Sequence, residues 1–159
     1  MFTMIKLDDI DISILKALQN DGKANTKELC GLLGLTKTPV YERIRRLESE
    51  GAIRGYTAII DNDKVGLPLT VFCNVSLVVH DDLHISQFKE DVMKIEEIMD
   101  CYSTGGVFDF LIRVVLKDME EFNRFVFEKL TKVRGIAKMQ SSFVLSEIKH
   151  SNVLNIRIL

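Results

Sequence analysis

The chain has 159 residues, 47% of them apolar, which suits one ordinary domain or two small ones and excludes a disordered polymer. A net charge of −2 excludes a strongly basic body, and no apolar run is long enough to span a bilayer. The start, MFTMIKLDDIDISILKAL, lacks a signal-peptide pattern, and the scattered Cys30, Cys73 and Cys101 read as reduced thiols, so a cytoplasmic protein is expected.

Charge is unevenly placed: residues 1–60 carry net +1 and residues 61–159 net −3. In chain order, residues 7–20 repeat Leu7, Ile10, Ile14, Leu15 and Leu18 at helical spacing. Asp8 and Asp9 sit at the helix start, where carboxylates are favoured, and Asn20-Asp21-Gly22 supplies turn chemistry. A second helix is expected from Asn25, with Glu28 completing a capping box, Leu29, Leu32 and Leu33 buried, and Gly34 as its stop. Residues 36–51, TKTPVYERIRRLESEG, read as a third helix with Val40, Ile44 and Leu47 inward. Thr38-Pro39 is its expected start, Thr36 a rival cap and Gly51 its left-handed stop. Two short helices joined by a tight turn after a supporting helix form the helix-turn-helix pattern.

Residues 52–60 have β-type composition, and Gly66-Leu67-Pro68 marks a boundary. Beyond it the spacing predicts a strand over 69–79, a helix over 85–95 and strands over 98–104 and 108–116. A helix capped by Asp118 follows, with Met119, Phe122, Phe125, Val126 and Leu130 inward, and then a strand over 136–148. That order is the split βαβ, a ferredoxin-like βαββαβ sandwich with helices on one face of an antiparallel sheet. The fold class is therefore α+β. The expected domains are residues 1–54 (helix-turn-helix), 55–68 (a linking strand and hinge) and 69–159 (the sandwich), with an edge strand available in 153–159. Phe72 and Val78, on the helix-free side of the first strand, hint at an oligomer interface.

The order Leu7, Asp8, Asp11, Ile14, Leu15, then Gly34-Leu35-Thr36, Val40, Arg43, Leu47-Glu48, Gly51, Ile53 and Gly55-Tyr56 resembles the Lrp/AsnC (leucine-responsive, feast/famine) regulators. In the second half Gly106, Phe108-Asp109-Phe110, Leu111 and residues 144–149 look like that family's glycine-aromatic-aspartate loop and final strand. The resemblance covers essentially the whole chain. It implies a winged-helix-like DNA-binding domain and a ferredoxin-like domain for effector binding and oligomerisation. The implied partners are double-stranded DNA with a pseudo-palindromic site, a second copy in a homodimer (with an octamer as a higher assembly), and an amino-acid effector. No cofactor, metal, membrane partner or enzyme activity is expected.

Base-edge contacts are assigned to Lys37, Thr38, Tyr41 and Glu42 near the start of the third helix, and phosphate contacts to Arg43, Arg45 and Arg46. Lys27 is a further backbone candidate. A solvated amphipathic helix would carry a similar face. Effector contacts are assigned to Gly105, Gly106, Val107, Phe108 and Asp109, with Met139 and Ser141 from the last strand; a simple hairpin turn is the competing reading. Val107, Met139 and Ser141 depart from the more polar residues of the family and favour an apolar effector or none. His80 and His84 have i, i+4 spacing, but their segment reads as a turn entering a helix, with ordinary surface residues. Two other functions fit the same layout: a siroheme-decarboxylase-like enzyme, and an architectural DNA-binding protein without an effector.

Overall fold

The first helix begins where a reciprocal acidic cap meets an apolar period. In the computed structural model, described for residues 5–157, α1 spans Asp9–Asn20 with Asp8 as its cap. The Asp11 N–H donates to Asp8 Oδ1 at 2.8 Å and the Asp8 N–H to Asp11 Oδ2 at 3.1 Å. Each carboxylate thus accepts an N–H that the helix itself leaves unpaired. α2 (Thr26–Leu33) has the expected Asn25–Glu28 capping box. α3 spans Lys37–Ser49, starting two residues earlier than the Thr38-Pro39 reading, with the rival Thr36 as the cap residue and no side-chain cap bond. Gly51 takes φ +78°, a left-handed turn that a side chain would strain.

Ile14, Leu15 and Leu47 form the buried centre of this three-helix group, joined by Leu7, Ile10, Leu18, Leu33, Ile44 and Ile53. Val40 is also fully buried. Leu32 departs from its expected burial: it is 67% exposed, because the eight-residue α2 turns only one narrow stripe inward, and Leu29 and Leu33 take it. Asp11 is 1% exposed and accepts from Arg43 at 2.8 Å and from Arg46, while Arg43 also reaches Asp8 at 2.7 Å. An acid on α1 therefore fixes α3 through two guanidinium groups.

Residues 54–61 carry no strand, although their composition is β-type; among the described residues they have no neighbouring strand to pair with. Their apolar side chains stand open, with Tyr56, Ile59 and Ile60 all more than half exposed. The chain divides into two compact units. One takes the chain up to Ile59 together with the segment from Lys149 onward, and the other is Ile60–Ile148. No strand forms in the described part of the tail; Ile158 and Leu159, the end of the expected edge strand, lie outside the described residues. Instead Ile156 packs on the three-helix core, and Leu154 exchanges two backbone hydrogen bonds with the Gln19 side chain.

The second unit is the α+β sandwich. Its strands β1 (Leu69–Leu77), β2 (Ile98–Ser103), β3 (Phe110–Leu116) and β4 (Ile136–Phe143) form one antiparallel sheet in the order β2-β3-β1-β4. Alternation along β1 and β3 sends Val71, Cys73, Val75, Leu77, Phe110, Ile112 and Val114 into the core, against Phe88 and Val92 of α4 (Asp82–Val92). α5 (Met119–Arg124) does not continue as a regular helix to Leu130. Residues 125–129 form a π turn, and its wider i→i+5 step sets Phe125 and Leu130 on the buried side, while Met119 stays half-exposed.

Asp8 is held below its ordinary value, first by the Asp11 N–H and then by Arg43. A depressed folded-state value means that its stabilisation is present above the ordinary 3.8 and is lost as pH falls through the folded value. Asp11→Ala should destabilise the three-helix group by about 1–3 kcal/mol, the scale of losing charge-assisted hydrogen bonds. Hydrogen exchange checks this: amides of α1 and α3 exchange faster, while those of β1 and β3 keep their protection.

Candidate nucleic-acid interface and glycine loop

The outer face of α3 presents Lys37, Thr38, Tyr41, Glu42 and Arg45 to solvent, with Lys27 exposed on α2. These positions recur at three- and four-residue steps, so they share one side while Val40, Ile44 and Leu47 hold the other. The Arg45 guanidinium lies 5.8 Å from the Tyr41 ring centre, which orients both groups along that face. Arg43 and Arg46 are placed differently from Arg45. Both are engaged by Asp11, and Arg43 is held above its ordinary value, chiefly by Asp8 and then Asp11. The three arginines, alike in sequence, thus divide into two that bind α1 and one with an open guanidinium.

In the second unit the loop 104–109 closes over one end of the sheet. Thr104 Oγ1 donates to Phe108 O at 2.7 Å, and the Thr104 N–H to Asp109 O at 2.8 Å. Gly106 takes φ +155°, a conformation glycine adopts without strain. Gly105, Gly106 and Val107 are exposed, Val107 by 88%. Phe108 is half-buried and lies under the Lys138 ammonium, 5.7 Å from its ring centre. Asp109 Oδ2 accepts the Leu77 N–H at 2.8 Å and lies 3.0 Å from His80 Nε2. The carboxylate thereby ties the glycine loop to the turn after β1.

The loop and the last-strand residues do not converge within this chain. Ser76 and Lys138 lie beside the loop on the helix-free side, whereas Met139 pairs with Val75 and Ser141 with Cys73, on the helix side. Met139 lines a shallow pocket of about 320 Å³ with Val126, Leu130, Thr131, Val133 and Ile136. Ser141 Oγ sits 3.4 Å from Cys73 Sγ, and burial pushes that thiol up, which keeps it unreactive. His80 and His84 do not share a partner: His80 faces Asp109 and His84 pairs with Asp81 at 2.6 Å. No group of three metal-ligating side chains occurs among the described residues. Two site-forming residues escaped the sequence reading of roles. Asp11 carries a local signal, the capping spacing with Asp8, but its arginine partners are remote in sequence; His80 carries none.

Residues 7–54 match the model of a winged helix-turn-helix DNA-binding domain, and residues 70–154 that of the Lrp/AsnC ligand binding domain. The chain is similar to the Bkd operon transcriptional regulator of Pseudomonas aeruginosa, with 35% identity across 91% of this chain and 95% of that one. It is 37% identical to the leucine-responsive regulatory protein of Escherichia coli K12, over 95% and 92% of the two chains. Among solved structures, a Neisseria meningitidis transcriptional regulator in complex with L-Met superposes with a TM-score of 0.88, at 36% identity over 93% and 96% of the chains. An AsnC family transcriptional regulator from Agrobacterium tumefaciens gives 0.88 at 31% identity, with the same coverages.

The Asp109–Leu77 bond gives a stability test. Asp109→Ala should cost about 1–3 kcal/mol by leaving the Leu77 N–H without its acceptor, whereas Asp109→Asn keeps an accepting oxygen and should cost clearly less. Urea unfolding of the two variants measures the difference.

Proposed function

The chain belongs to the Lrp/AsnC family of transcriptional regulators, and from that premise we propose that α3 reads a specific DNA sequence in the major groove while the glycine loop takes an amino acid. One observation carries the DNA reading. Asp11 anchors Arg43 and Arg46, and this leaves Lys37, Thr38, Tyr41, Glu42 and Arg45 together on an open, rigidly mounted face. Lys37, Thr38, Tyr41 and Glu42 stand near the N-terminal end of the helix, the end that meets base edges in this motif. Glu42 can accept from a cytosine amino group, and Arg45 is placed for a phosphate. Lys27 supplies a second backbone contact from α2. Arg43 and Arg46 act mainly by fixing the helix, with their solvent-facing edges left for the backbone.

The working unit is a homodimer on a pseudo-palindromic duplex, with an octamer as its higher assembly. Support comes from the helix-free face of the sheet, where the half-buried Phe72 and Leu111 stand beside Thr70 and Asn74, and from the open apolar side chains of Tyr56, Ile59 and Ile60. The division of labour is residues 1–54 for DNA, 55–68 as the link and the sheet domain from residue 69 for effector and assembly, except that the tail from Lys149 onward packs with the DNA-binding unit rather than with the sheet. No helix among the described residues is long and apolar enough to cross a membrane. A DNA-binding role places the protein in the cytoplasm.

The effector reading rests on Gly105–Asp109. Open backbone amides at the glycines suit a carboxylate, Asp109 suits an ammonium, and exposed Val107 suits an apolar side chain. A relative named leucine-responsive and a neighbour holding L-Met support that ligand chemistry. Met139 and Ser141 are turned to the helix side of their own chain, so their contribution is to a pocket formed between subunits.

Salt titration of duplex binding tests the DNA reading. Arg45→Ala should weaken binding alike on all sequences and lower the salt slope by about 1, whereas Tyr41→Ala should change preference at one or two base pairs and leave the slope in place. An unchanged slope for Arg45→Ala would remove Arg45 from the interface.

A further inference from the structure

The turn between β1 and α4 carries a charge device that the assigned roles of the loop do not use. His80 Nε2 stands 3.0 Å from Asp109 Oδ2, the same oxygen that accepts the Leu77 N–H. The carboxylate is an acceptor only, so the proton in this contact belongs to the imidazole ring. The His80 side chain is 60% exposed and that of Asp109 27%, so solvent protons and a small ligand both have access. Asp109 is also the one acid of the exposed loop 104–109.

We propose that His80 is a proton-controlled occupant of Asp109, which the ammonium of a bound amino acid must displace. Protonated His80 neutralises the Asp109 carboxylate; neutral His80 leaves its full charge for the ligand. Because His titrates within the physiological range, effector affinity becomes pH-dependent. The sign follows from competition between two cations for one carboxylate. Ligand binding expels the His80 proton, so affinity rises as pH rises through the His80 titration, and bound ligand makes His80 more acidic.

The neighbouring charges are accounted for. His84 is paired with Asp81, and Arg134 with Asp91. Lys138 on β4 lies over Phe108, and Asp82 begins α4. Of these only His84 is a second histidine at the same turn, paired with an acid of its own, and it is the necessary control. The effect is limited by solvent: an exposed ion pair changes an equilibrium by about two- to fivefold.

This inference rests on the effector reading above, and the experiment separates the two on the full chain. Histidine-resolved NMR titration compares the native chain with Asp109→Asn. Calorimetry then measures L-leucine and L-methionine at pH 6 and pH 8 for the native chain, His80→Gln and His84→Gln. The His80 proton affinity should fall about two- to fivefold in Asp109→Asn. Amino-acid affinity should rise about two- to fivefold from pH 6 to pH 8 in the native chain and His84→Gln, and stay flat in His80→Gln. A His80 titration indifferent to Asp109→Asn overturns the proposal, as does a His80→Gln chain that keeps the native pH slope. Absence of binding by either amino acid at both pH values overturns the competition with a ligand and counts against the effector reading. The NMR result still shows independently whether His80 occupies Asp109.

Discussion

The DNA-binding unit depends on one buried carboxylate. Asp11 is nearly sealed from solvent, and it completes the capping box of α1 by accepting the Asp8 N–H while accepting from two arginines of α3. Burying an acid is costly unless its oxygens are fully used. Here the Asp8 N–H, Arg43 and Arg46 use them, and the geometry that satisfies the charge also sets where α3 stands. A small apolar core of Ile14, Leu15 and Leu47 would hold the helices together without fixing the rotation of α3 so closely. The ion network supplies that rotation, and the rotation decides which side chains face outward.

The second unit solves a different problem with a similar device. Its sheet end is open, and the exposed glycine loop would be free to move. Asp109 ties the loop to the turn after β1 through the Leu77 N–H and His80. In both units an acid placed at the end of an element binds a distant segment and prepares a surface. The first is buried and constant. The second is half-open and can exchange partners, which suits a residue that meets a small ligand.

The elements were legible because their signals are local. Asp8, Asn25 with Glu28, Gly34 and Gly51 mark helix ends within a few residues, and alternation along residues 69–77 marks a strand covered on one side. The family was legible from the order of many weak motifs, and both matched domain models agree with it. What escaped was non-local or depended on exact helical pitch. Nothing beside Arg43 and Arg46 says that both will turn to an acid more than thirty residues earlier. The π turn at residues 125–129 changes the phase of an apolar pattern that otherwise reads as a regular helix. The tail has strand-like composition, yet Gln19 and the helical core engage it, and residues 54–61 lack a partner strand among the described residues. His80 gained its place only when the chain brought Asp109 beside it.

The central claim is that a rigidly mounted α3 reads sequence, and does so in pairs. Selection of duplexes from a random library by the full chain tests it most directly. The account predicts enrichment of an inverted repeat whose half-site centres lie one helical turn or a multiple of it apart, as two copies of one recognition helix require. Enrichment of a single unrepeated half-site would contradict the pairing, and bound duplexes with no shared sequence would contradict the reading itself.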